Sequence, residues 1–279
     1  MSVDGAGGGR EPSESEERAR VTETLTSAAK GLRPDDVPQA LCHACVELLP
    51  VTGASVSIAC GRTVRATWCA SDSTAARLAE AQYTLGDGPC QSAIERAAAV
   101  LADDLTRAPD AGRWPVFAHE AVELGVQAVF SLPLGVGGAT IGTLDLYRHT
   151  PGALSSRDLR IALWARDAVT FALMNLHAGY DADERASQEG VGVASWMEAS
   201  EADHSEVYQA VGMVMVQLNL GAEQALDRMR ARAFAQGRTV TEVAHDILVR
   251  TLRLGSETEG DSEDAGRRDA GDDGREGDR

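Results

Sequence analysis

The hydrophobic pattern in residues 205–254 is that of three amphipathic helices. Apolar positions recur at intervals of three and four from Ser205 to Leu218, which places them on one helical face. A second pattern runs from Ala222 to Gln236 and stops before Gly237, a residue type that commonly follows a helix. The third opens at Thr239, and Glu242 three positions later completes a capping box. We therefore expect a small bundle of three helices.

The pattern in residues 18–178 alternates between strands and helices. The stretches "GASVSIAC" and "TVRATWCAS" flank a short "GRT" connection and predict a β-hairpin. The stretches "QAVFSLPLGV" and "ATIGTLDLYRH" predict a second hairpin, which turns at Gly137–Gly138. Helical patterns surround both hairpins, and a short strand is expected near residues 98–103. This order predicts an α+β domain on a mostly antiparallel sheet with flanking helices.

Composition divides the chain into five parts. Residues 1–17 and 255–279 are polar and rich in glycine and acids, so we expect disordered tails there. Residues 179–204 combine glycine, serine and acids and are predicted to be a linker. The two folded parts are then the domain at residues 18–178 and the helical bundle at residues 205–254.

The acidic charge of the chain lies outside the predicted bundle. The formal net charge is −17, which argues against a nucleic-acid partner when it is averaged over the whole chain. Residues 204–254 hold six arginines against five acids, whereas residues 255–279 hold four arginines against ten acids. The bundle is therefore close to neutral, and its surface has to be judged separately.

The chain shows no sign of a membrane or secretory segment. No run approaches the ~18 apolar residues that a membrane span requires, and the N-terminal stretch is polar and acidic. We therefore expect a soluble, cytoplasmic protein with no membrane partner. The five cysteines form no disulfide framework, and Cys42, His43 and Cys45 lack the second pair that a closed zinc site requires. We expect these cysteines to be buried and structural.

Three motifs in the first domain resemble the GAF domain, a small-molecule sensor module. They are "LGDGPC", "RWPVF", and "SLPL" followed by "IGTLDLY", and the resemblance covers residues 20–178. They are most similar to the GAF domains of actinobacterial regulators. The resemblance implies a small-molecule ligand, but no motif identifies it, so the cofactor is unknown. A purely structural or dimerising role for this domain stays open.

The bundle resembles the ANTAR domain, the three-helix RNA-binding module of transcription antiterminators. The resemblance rests on "AVGMVM", "EQALDRMRARAF" and "TVTEVAHDIL". It implies binding to paired RNA hairpins in nascent transcripts, which prevents a terminator from forming. The chain is therefore predicted to be an RNA-binding transcription antitermination regulator in which a GAF sensor controls a C-terminal ANTAR domain.

The resemblance and the helical spacing together select the candidate RNA-binding residues. They are Ala210, Gly212, Met213, Arg228, Arg230, Arg232 and Arg238. We expect Arg230 and Arg238 to contribute most, because guanidinium groups stack on unpaired bases and hydrogen-bond to them. Many family members carry lysine where this chain has Val211 and a basic pair where it has Gln236–Gly237. We therefore expect weaker or more dimer-dependent binding.

Gly212 interrupts a nearly continuous apolar stretch, at a cost to the helix of about 0.8–1.0 kcal/mol relative to alanine. A glycine there bares the backbone, so a flat partner could come close. Tight helix–helix packing explains the glycine equally well, and spacing alone leaves both roles open.

Two other functions compete with RNA binding. A DNA-binding helix-turn-helix would present Thr241, Glu242, His245 and Asp246 to the groove, and the carboxylates disfavour it. A redox sensor could act through Cys90, which lies at a predicted helix N-terminus where a thiolate would be stabilised. No nucleophile elbow, phosphate loop or metal motif is present, so no enzymatic activity is predicted.

The predicted helix at residues 156–178 carries more apolar surface than one sheet face needs. The residues expected to pack against a second copy are Leu159, Ala162, Leu173 and Leu176. We therefore predict a homodimer.

Overall fold

The computed structural model describes residues 13–33, 36–60, 63–136, 139–186 and 205–255. Most of both predicted tails, most of the predicted linker and the predicted turn at Gly137–Gly138 lie outside these ranges.

A five-stranded antiparallel sheet forms the centre of the N-terminal domain. Its strands are β1 (Gly53–Cys60), β2 (Thr63–Ala70), β3 (Val100–Ala102), β4 (Ala128–Val136) and β5 (Ala139–Arg148). Their order across the sheet is β2-β1-β5-β4-β3, and each neighbouring pair is antiparallel. Both predicted hairpins and the predicted α+β class are confirmed.

Seven helices cover the two faces of this sheet in the described part of the domain. They are α1 (Glu14–Ala29), α2 (Val37–Leu48), α3 (Ser73–Leu85), α4 (Pro89–Arg96), α5 (Asp110–Arg113), α6 (Pro115–Glu123) and α7 (Ser156–Ala186). Helices α1, α2 and α7 share one hydrophobic core with the sheet, and α3, α4 and α6 line the other side.

The two faces of the sheet differ in polarity because side chains alternate along each strand. Leu144 and Leu146 of β5 lie fully buried in the core beneath α2 and α7. The intervening Thr143 and Asp145 point to the opposite face, where they are buried as well. Ser57 pairs with Thr143, and Ser131 pairs with Asp145. A polar patch therefore lies inside the domain, on the side of α3 and α4.

Two helix ends differ from the predicted boundaries. Helix α1 begins at Glu14 rather than near Arg18, because Ser13 and Glu16 form a capping box in which the Ser13 N–H donates to Glu16 Oε2 at 2.7 Å. Helix α7 runs to Ala186, eight residues into the predicted linker. No proline interrupts it, and the single Gly179 costs a helix only about 1 kcal/mol.

Three helices form the C-terminal bundle: α8 (Ser205–Leu218), α9 (Ala222–Gln236) and α10 (Val240–Leu248). Gly237 ends α9 in the left-handed conformation with a φ of 62°, as expected for that position. Thr239 caps α10, and its N–H donates to Glu242 Oε2 at 2.9 Å. The bundle core consists of buried small and aliphatic side chains, among them Val207, Ala210, Val214, Ala225, Met229, Ala233, Val243 and Ile247. The predicted three-helix bundle is confirmed.

The bundle packs directly on helices α3 and α4 of the N-terminal domain. Tyr83, Cys90 and Ile94 of those helices are buried in the same hydrophobic cluster as the bundle core. The two domains therefore share apolar contacts in this structure, which the sequence did not predict.

The expected dimer face on helix α7 is wrong in two positions. Ala162 and Leu173 are buried against the domain's own sheet, because the helix lies across it. Leu159 packs partly against the same core, and the side chain of Leu176 lies outside the described residues. Among the α7 side chains that the structure describes, the large apolar ones that are exposed are Phe171, at 67%, and Met174.

Within the described residues, no helix combines the length and the apolar character needed to cross a bilayer.

Candidate RNA interface

Gly212 leaves part of helix α8 without a side chain on its outer surface. The residue is exposed, and a Cβ built on its backbone would meet no atom within 4 Å. Tight helix–helix packing would require a close neighbour at this position, and the described residues supply none. The packing role that the sequence left open is therefore wrong. The glycine instead bares a stretch of backbone that a flat partner can approach.

The glycine lies in an open groove of ≈ 700 Å³ between helix α8 and the chain that follows α10. We call this the Gly212 groove. Its lining consists of Gln209, Gly212, Met213, Val216, Gln217, Ile247, Arg250, Leu252 and Arg253. The groove thus combines a bare helix surface, aliphatic side chains, two amides and two guanidinium groups.

Arg250 lies at the end of helix α10 in a conformation that usually selects glycine. Its φ is 62°, in the left-handed region, which costs a residue with a side chain about 1 kcal/mol. Its N–H donates to the Ile247 carbonyl at 3.1 Å and ends the helix. The chain then turns back, Leu254 becomes buried, and its carbonyl accepts a hydrogen bond from Gln217 Nε2 at 2.7 Å. This turn brings Arg250 and Arg253 to the groove.

The chemistry of the Gly212 groove suits an unpaired nucleotide. Val216 is 87% exposed and Met213 is 37% exposed, which offers apolar surface to a base. The Gln209 amide can hydrogen-bond to a base edge, and the two arginines can neutralise phosphates. Sequence reasoning missed Gln209, Val216, Arg250 and Arg253, although the exposed arginines near the end of the bundle were visible in the sequence.

Ala210 does not belong to this surface. It is fully buried between the helices of the bundle, because it lies on the inward stripe of α8 with Val207 and Val214. Its predicted role as an RNA contact is therefore wrong, and its match to the family pattern reflects packing. Of the three α8 candidates, Gly212 and Met213 line the groove.

Arg230 points toward the N-terminal domain rather than into solvent. Its side chain is 14% exposed, and its Nε donates to the Tyr83 carbonyl at 3.2 Å. Its guanidinium also lies 5.8 Å from the centre of the Tyr83 ring, and burial lowers the pKa of Arg230. The prediction of an exposed RNA contact is therefore wrong for this arrangement.

Gly86 makes room for that guanidinium. Its φ is 65°, at the left-handed C-terminus of helix α3. A Cβ at this position would lie 2.8 Å from a terminal nitrogen of Arg230. Any side chain at Gly86 would therefore force the guanidinium of Arg230 to move from its present position.

Arg238 is held within the bundle by carboxylates. Its NH1 nitrogen lies 2.7 Å from Asp246 Oδ2, and its NH2 nitrogen donates to the Glu242 carbonyl at 3.2 Å. The hydrogen bond to Asp246 raises the pKa of Arg238. Arg238 is thus an internal ion-pair partner, and its charge is largely compensated.

The remaining two arginine candidates, Arg228 and Arg232, are exposed on helix α9. Neither lines the Gly212 groove. The structure therefore separates the predicted RNA-binding residues into three groups: those that line the groove, the exposed arginines of α9, and those that contact other parts of the chain.

The first turn of α10 is engaged by the N-terminal domain, which bears on the helix-turn-helix alternative. The Val240 N–H donates to Thr84 Oγ1 at 3.1 Å, and the Thr241 hydroxyl donates to Glu80 Oε1 at 3.1 Å. We call this side of the bundle, with Arg230, Val240 and Thr241, the docked face. A recognition helix reads DNA with its N-terminal residues, so the docked face disfavours that function in this arrangement.

The polar patch inside the N-terminal domain forms a connected cluster. Cys90 Sγ lies 3.0 Å from Thr143 Oγ1, and that hydroxyl donates to Asp145 Oδ2 at 3.0 Å. Burial raises the pKa of Asp145 to about 6. Asp145 Oδ1 and the Ser131 hydroxyl have no hydrogen-bond partner within the described residues.

The alternative in which Cys90 is a reactive thiolate is not supported by the structure. Cys90 is the second residue of helix α4, but it is 1% exposed. Burial, followed by the charge of Asp145, raises the pKa of this thiol well above its usual range. Desolvation therefore outweighs the helix N-terminus, and the basis for a redox sensor at Cys90 is lost.

Comparison with known families identifies both folded parts of the chain. The family model described as the GAF domain matches residues 31–173, just over half of the chain. The model described as the ANTAR domain matches residues 197–248. No curated protein is detectably similar to the chain in sequence.

Several solved structures are similar to the N-terminal domain. The GAF domain of a phosphoenolpyruvate-protein phosphotransferase from Coxiella burnetii is 13% identical, with a TM-score of 0.46, and the match covers 61% of this chain and 99% of that one. The corresponding Acinetobacter domain is 10% identical, with a TM-score of 0.43, over 59% and 95% of the two chains. Free methionine-R-sulfoxide reductase from Neisseria meningitidis is 12% identical, with a TM-score of 0.43, over 61% and 96%.

Proposed function

The chain belongs to the GAF domain family and carries an ANTAR domain behind it, and from this premise we propose that it is a transcription antitermination regulator that binds hairpin RNA. Both domains are regulatory modules, so the role we propose is regulatory and not catalytic. The RNA partner is a pair of short hairpins in a nascent transcript. The GAF domain binds a small molecule and thereby controls the binding of RNA by the ANTAR domain.

The Gly212 groove is the observation that supports RNA binding. It is the part of the ANTAR domain where bare backbone, exposed apolar side chains and two guanidinium groups meet. Hairpin loops are recognised by stacking and by hydrogen bonds to unstacked bases, and phosphates supply the electrostatic attraction. The left-handed Arg250 supports the same role, because glycine would fit that backbone better and yet a charged side chain is present.

The docked face supports control by the sensor. It connects the bundle to α3 and α4, the two helices that cover the polar cluster of Cys90, Thr143 and Asp145. A ligand bound at that cluster would shift α4, and the shift would reach the bundle through shared apolar contacts. We propose that the GAF domain signals to the ANTAR domain by this route.

The decisive experiment compares nucleic acids and two matched variants of the full chain. In a mobility-shift assay at fixed salt, RNA with two tandem hairpins should bind more tightly than duplex DNA. Arg253→Glu in the Gly212 groove should weaken RNA binding on the order of tenfold, since it removes one phosphate contact and adds repulsion. Arg232→Glu on α9 makes the same charge change away from the groove and should have a smaller effect.

Two results would contradict the proposal. Equal or tighter binding to duplex DNA would favour the helix-turn-helix alternative. Equal losses in Arg253→Glu and Arg232→Glu would mean that net charge governs binding and that the groove has no special role.

The homodimer stays a proposal, with a different face from the one expected from sequence. Phe171 and Met174 are exposed on α7, and a concavity of ≈ 520 Å³ beside them extends to Trp164 and helix α1. Two copies that meet there would place two ANTAR domains side by side. Phe171→Arg should then reduce the sedimentation coefficient of the full chain to that of a monomer, and a parent chain that sediments as a monomer at tens of micromolar would rule the dimer out.

A further inference from the structure

Two buried cysteines from different elements lie in contact in the N-terminal domain. The Sγ atoms of Cys42 and Cys69 are 2.8 Å apart. Cys42 lies on helix α2 and is fully buried, whereas Cys69 lies on strand β2 and is 8% exposed. The two residues are 27 positions apart in sequence, so the fold alone brings them together.

This pair is separate from the RNA interface and from the polar cluster. Cys42 and Cys69 belong to the core beneath α2 and α7, on the opposite face of the sheet from Cys90. Cys45 is the third thiol in that core. Within the described ranges, no group of three or more His, Cys, Asp or Glu side chains is placed to hold a metal ion. The contact therefore needs a different interpretation from zinc binding.

We propose that Cys42 and Cys69 are a redox modification site, which a peroxide converts to an intramolecular disulfide. A disulfide requires a sulfur–sulfur distance near 2.05 Å, so the two atoms must close by about 0.8 Å, which side-chain rotation can supply. The site stands independently of the proposed RNA binding, because its product is a covalent bond that is detected directly.

The reaction balances with hydrogen peroxide as the oxidant. The Cys69 sulfur attacks one peroxide oxygen, the O–O bond breaks, and the products are a Cys69 sulfenic acid and water. The Cys42 sulfur then attacks the Cys69 sulfur, the S–O bond breaks, and the released hydroxide takes the Cys42 proton as a second water. Two thiols are oxidised by two electrons, and one peroxide is reduced to two waters.

The positions of the two thiols assign their order. Cys69 reacts first because it lies on β2, the edge strand of the sheet, between the half-buried Trp68 and Ala70. Cys42 acts second. The hydrogen bond with Cys69, followed by burial, raises the pKa of Cys42 well above its usual range. Cys42 therefore stays protonated until the Cys69 sulfur becomes electrophilic. Cys90 has no second sulfur in the described contacts and forms no such pair.

The disulfide would join helix α2 to the strand that leads into α3. Helix α3 begins at Ser73, four residues after Cys69, and its far end carries the contacts to Arg230 and Val240. Oxidation would therefore fix the strand that precedes α3, the helix that contacts the docked face.

The test uses the full chain with one equivalent of hydrogen peroxide. After denaturation and labelling with a maleimide, the number of free thiols should fall from five to three. Trypsin cleaves at Arg62 and Arg65, so it separates Cys69 from the other cysteines of the region. The peptide that contains Cys42 also contains Cys45 and Cys60, and a Cys45→Ala, Cys60→Ala variant removes that ambiguity. Its non-reduced digest should contain the Cys42 peptide linked to the Cys69 peptide.

Matched variants decide the outcome. Cys90→Ala should still lose two thiols on oxidation, whereas Cys42→Ala and Cys69→Ala should not form the linked peptide. If the parent chain keeps five thiols, or if the Cys69 peptide is linked equally well in Cys42→Ala, the proposal is overturned. If a substituted chain fails to fold, fragmentation of the linked peptide from the parent chain in a mass spectrometer assigns the bond to Cys42, Cys45 or Cys60.

Discussion

The ANTAR bundle has two outward sides that look alike in sequence and differ in the structure. The Gly212 groove is open, with exposed Met213 and Val216 and with two arginines at its edge. The docked face is closed, and its arginine, Arg230, donates to the Tyr83 carbonyl of the GAF domain. Both sides combine apolar side chains with arginine.

The comparison shows that helical periodicity separates buried from outward positions but does not identify what covers an outward position. Arg230 and Arg232 are two residues apart on α9, and only the first meets another domain. The difference arises from the way the bundle rests on α3 and α4, which is a tertiary property.

The largest effect is expected at the polar cluster beneath the docked face. Burial raises the pKa of Asp145 to about 6, against about 3.9 in an unfolded chain. Between about pH 4 and 6 the Asp145 carboxyl binds more protons in the folded state than in the unfolded state, so its contribution to the free energy of unfolding falls as the pH rises through this range. Two pKa units correspond to about 3 kcal/mol, and the whole penalty is present above pH 6.

Asp145→Asn should therefore stabilise the protein by roughly 1–3 kcal/mol at pH 8 and have little effect at pH 4. Urea unfolding at both pH values measures this difference. Asp167→Asn, which changes an exposed carboxyl on α7, is the control and should show no such pH dependence. A difference in stability between Asp145→Asn and the parent that is the same at pH 4 and pH 8 would contradict the assignment of a raised pKa.

The next effect concerns the open side. Gly212→Leu should weaken hairpin binding by tenfold or more, about 1.4 kcal/mol, because the side chain would fill the groove. Gly212→Ala should raise helix stability by about 0.8–1.0 kcal/mol, since its Cβ meets no neighbour, and should weaken binding less than leucine does.

Melting curves and mobility shifts on the same samples separate fold from binding. An alanine or leucine variant that melts at or above the parent temperature and binds RNA equally well would remove Gly212 from the interface.

These substitutions also show how much the sequence could predict. The hairpins, the long helix, the Gly237 and Thr239 helix ends and the bundle core follow from local periodicity and capping, which act within a few residues. Ala210 was misassigned because a family pattern does not distinguish a packing residue from a contact residue. The alternative role of Cys90 fails because its burial depends on tertiary contacts, among them Thr143 of β5, 53 positions away in sequence.

A smaller effect is expected on the docked face. Arg230→Ala should lower the free energy of unfolding by about 1 kcal/mol, because it removes a charge-assisted hydrogen bond that keeps some solvent exposure. RNA affinity should stay within about twofold of the parent, since the side chain is turned away from the groove. Arg232→Ala on the same helix is the control for losing one positive charge. A clear loss of affinity in Arg230→Ala alone would show that the bundle undocks before it binds RNA.

The smallest effect is expected at Arg250. Arg250→Gly relieves the left-handed backbone and should stabilise the protein by up to about 1 kcal/mol. It also removes a guanidinium from the groove, so RNA affinity should fall about two- to threefold, with a shallower dependence on salt. Arg250→Lys keeps the charge and the backbone strain, and it should retain more affinity than the glycine variant. If Arg250→Gly binds RNA as tightly as the parent, RNA binding does not explain the strained backbone at Arg250.

Gly86 has a consequence for how this regulator can change by mutation. Any other amino acid at this position would add a Cβ 2.8 Å from Arg230 and would also strain a left-handed backbone. The atoms that this Cβ would meet are the end of the flexible Arg230 side chain, so the guanidinium can move away, and the expected cost is the backbone strain of about 1–2 kcal/mol and a weaker hydrogen bond to the Tyr83 carbonyl. A single codon at the domain boundary can therefore alter the contact between the two domains in small steps, without changing any residue of the Gly212 groove.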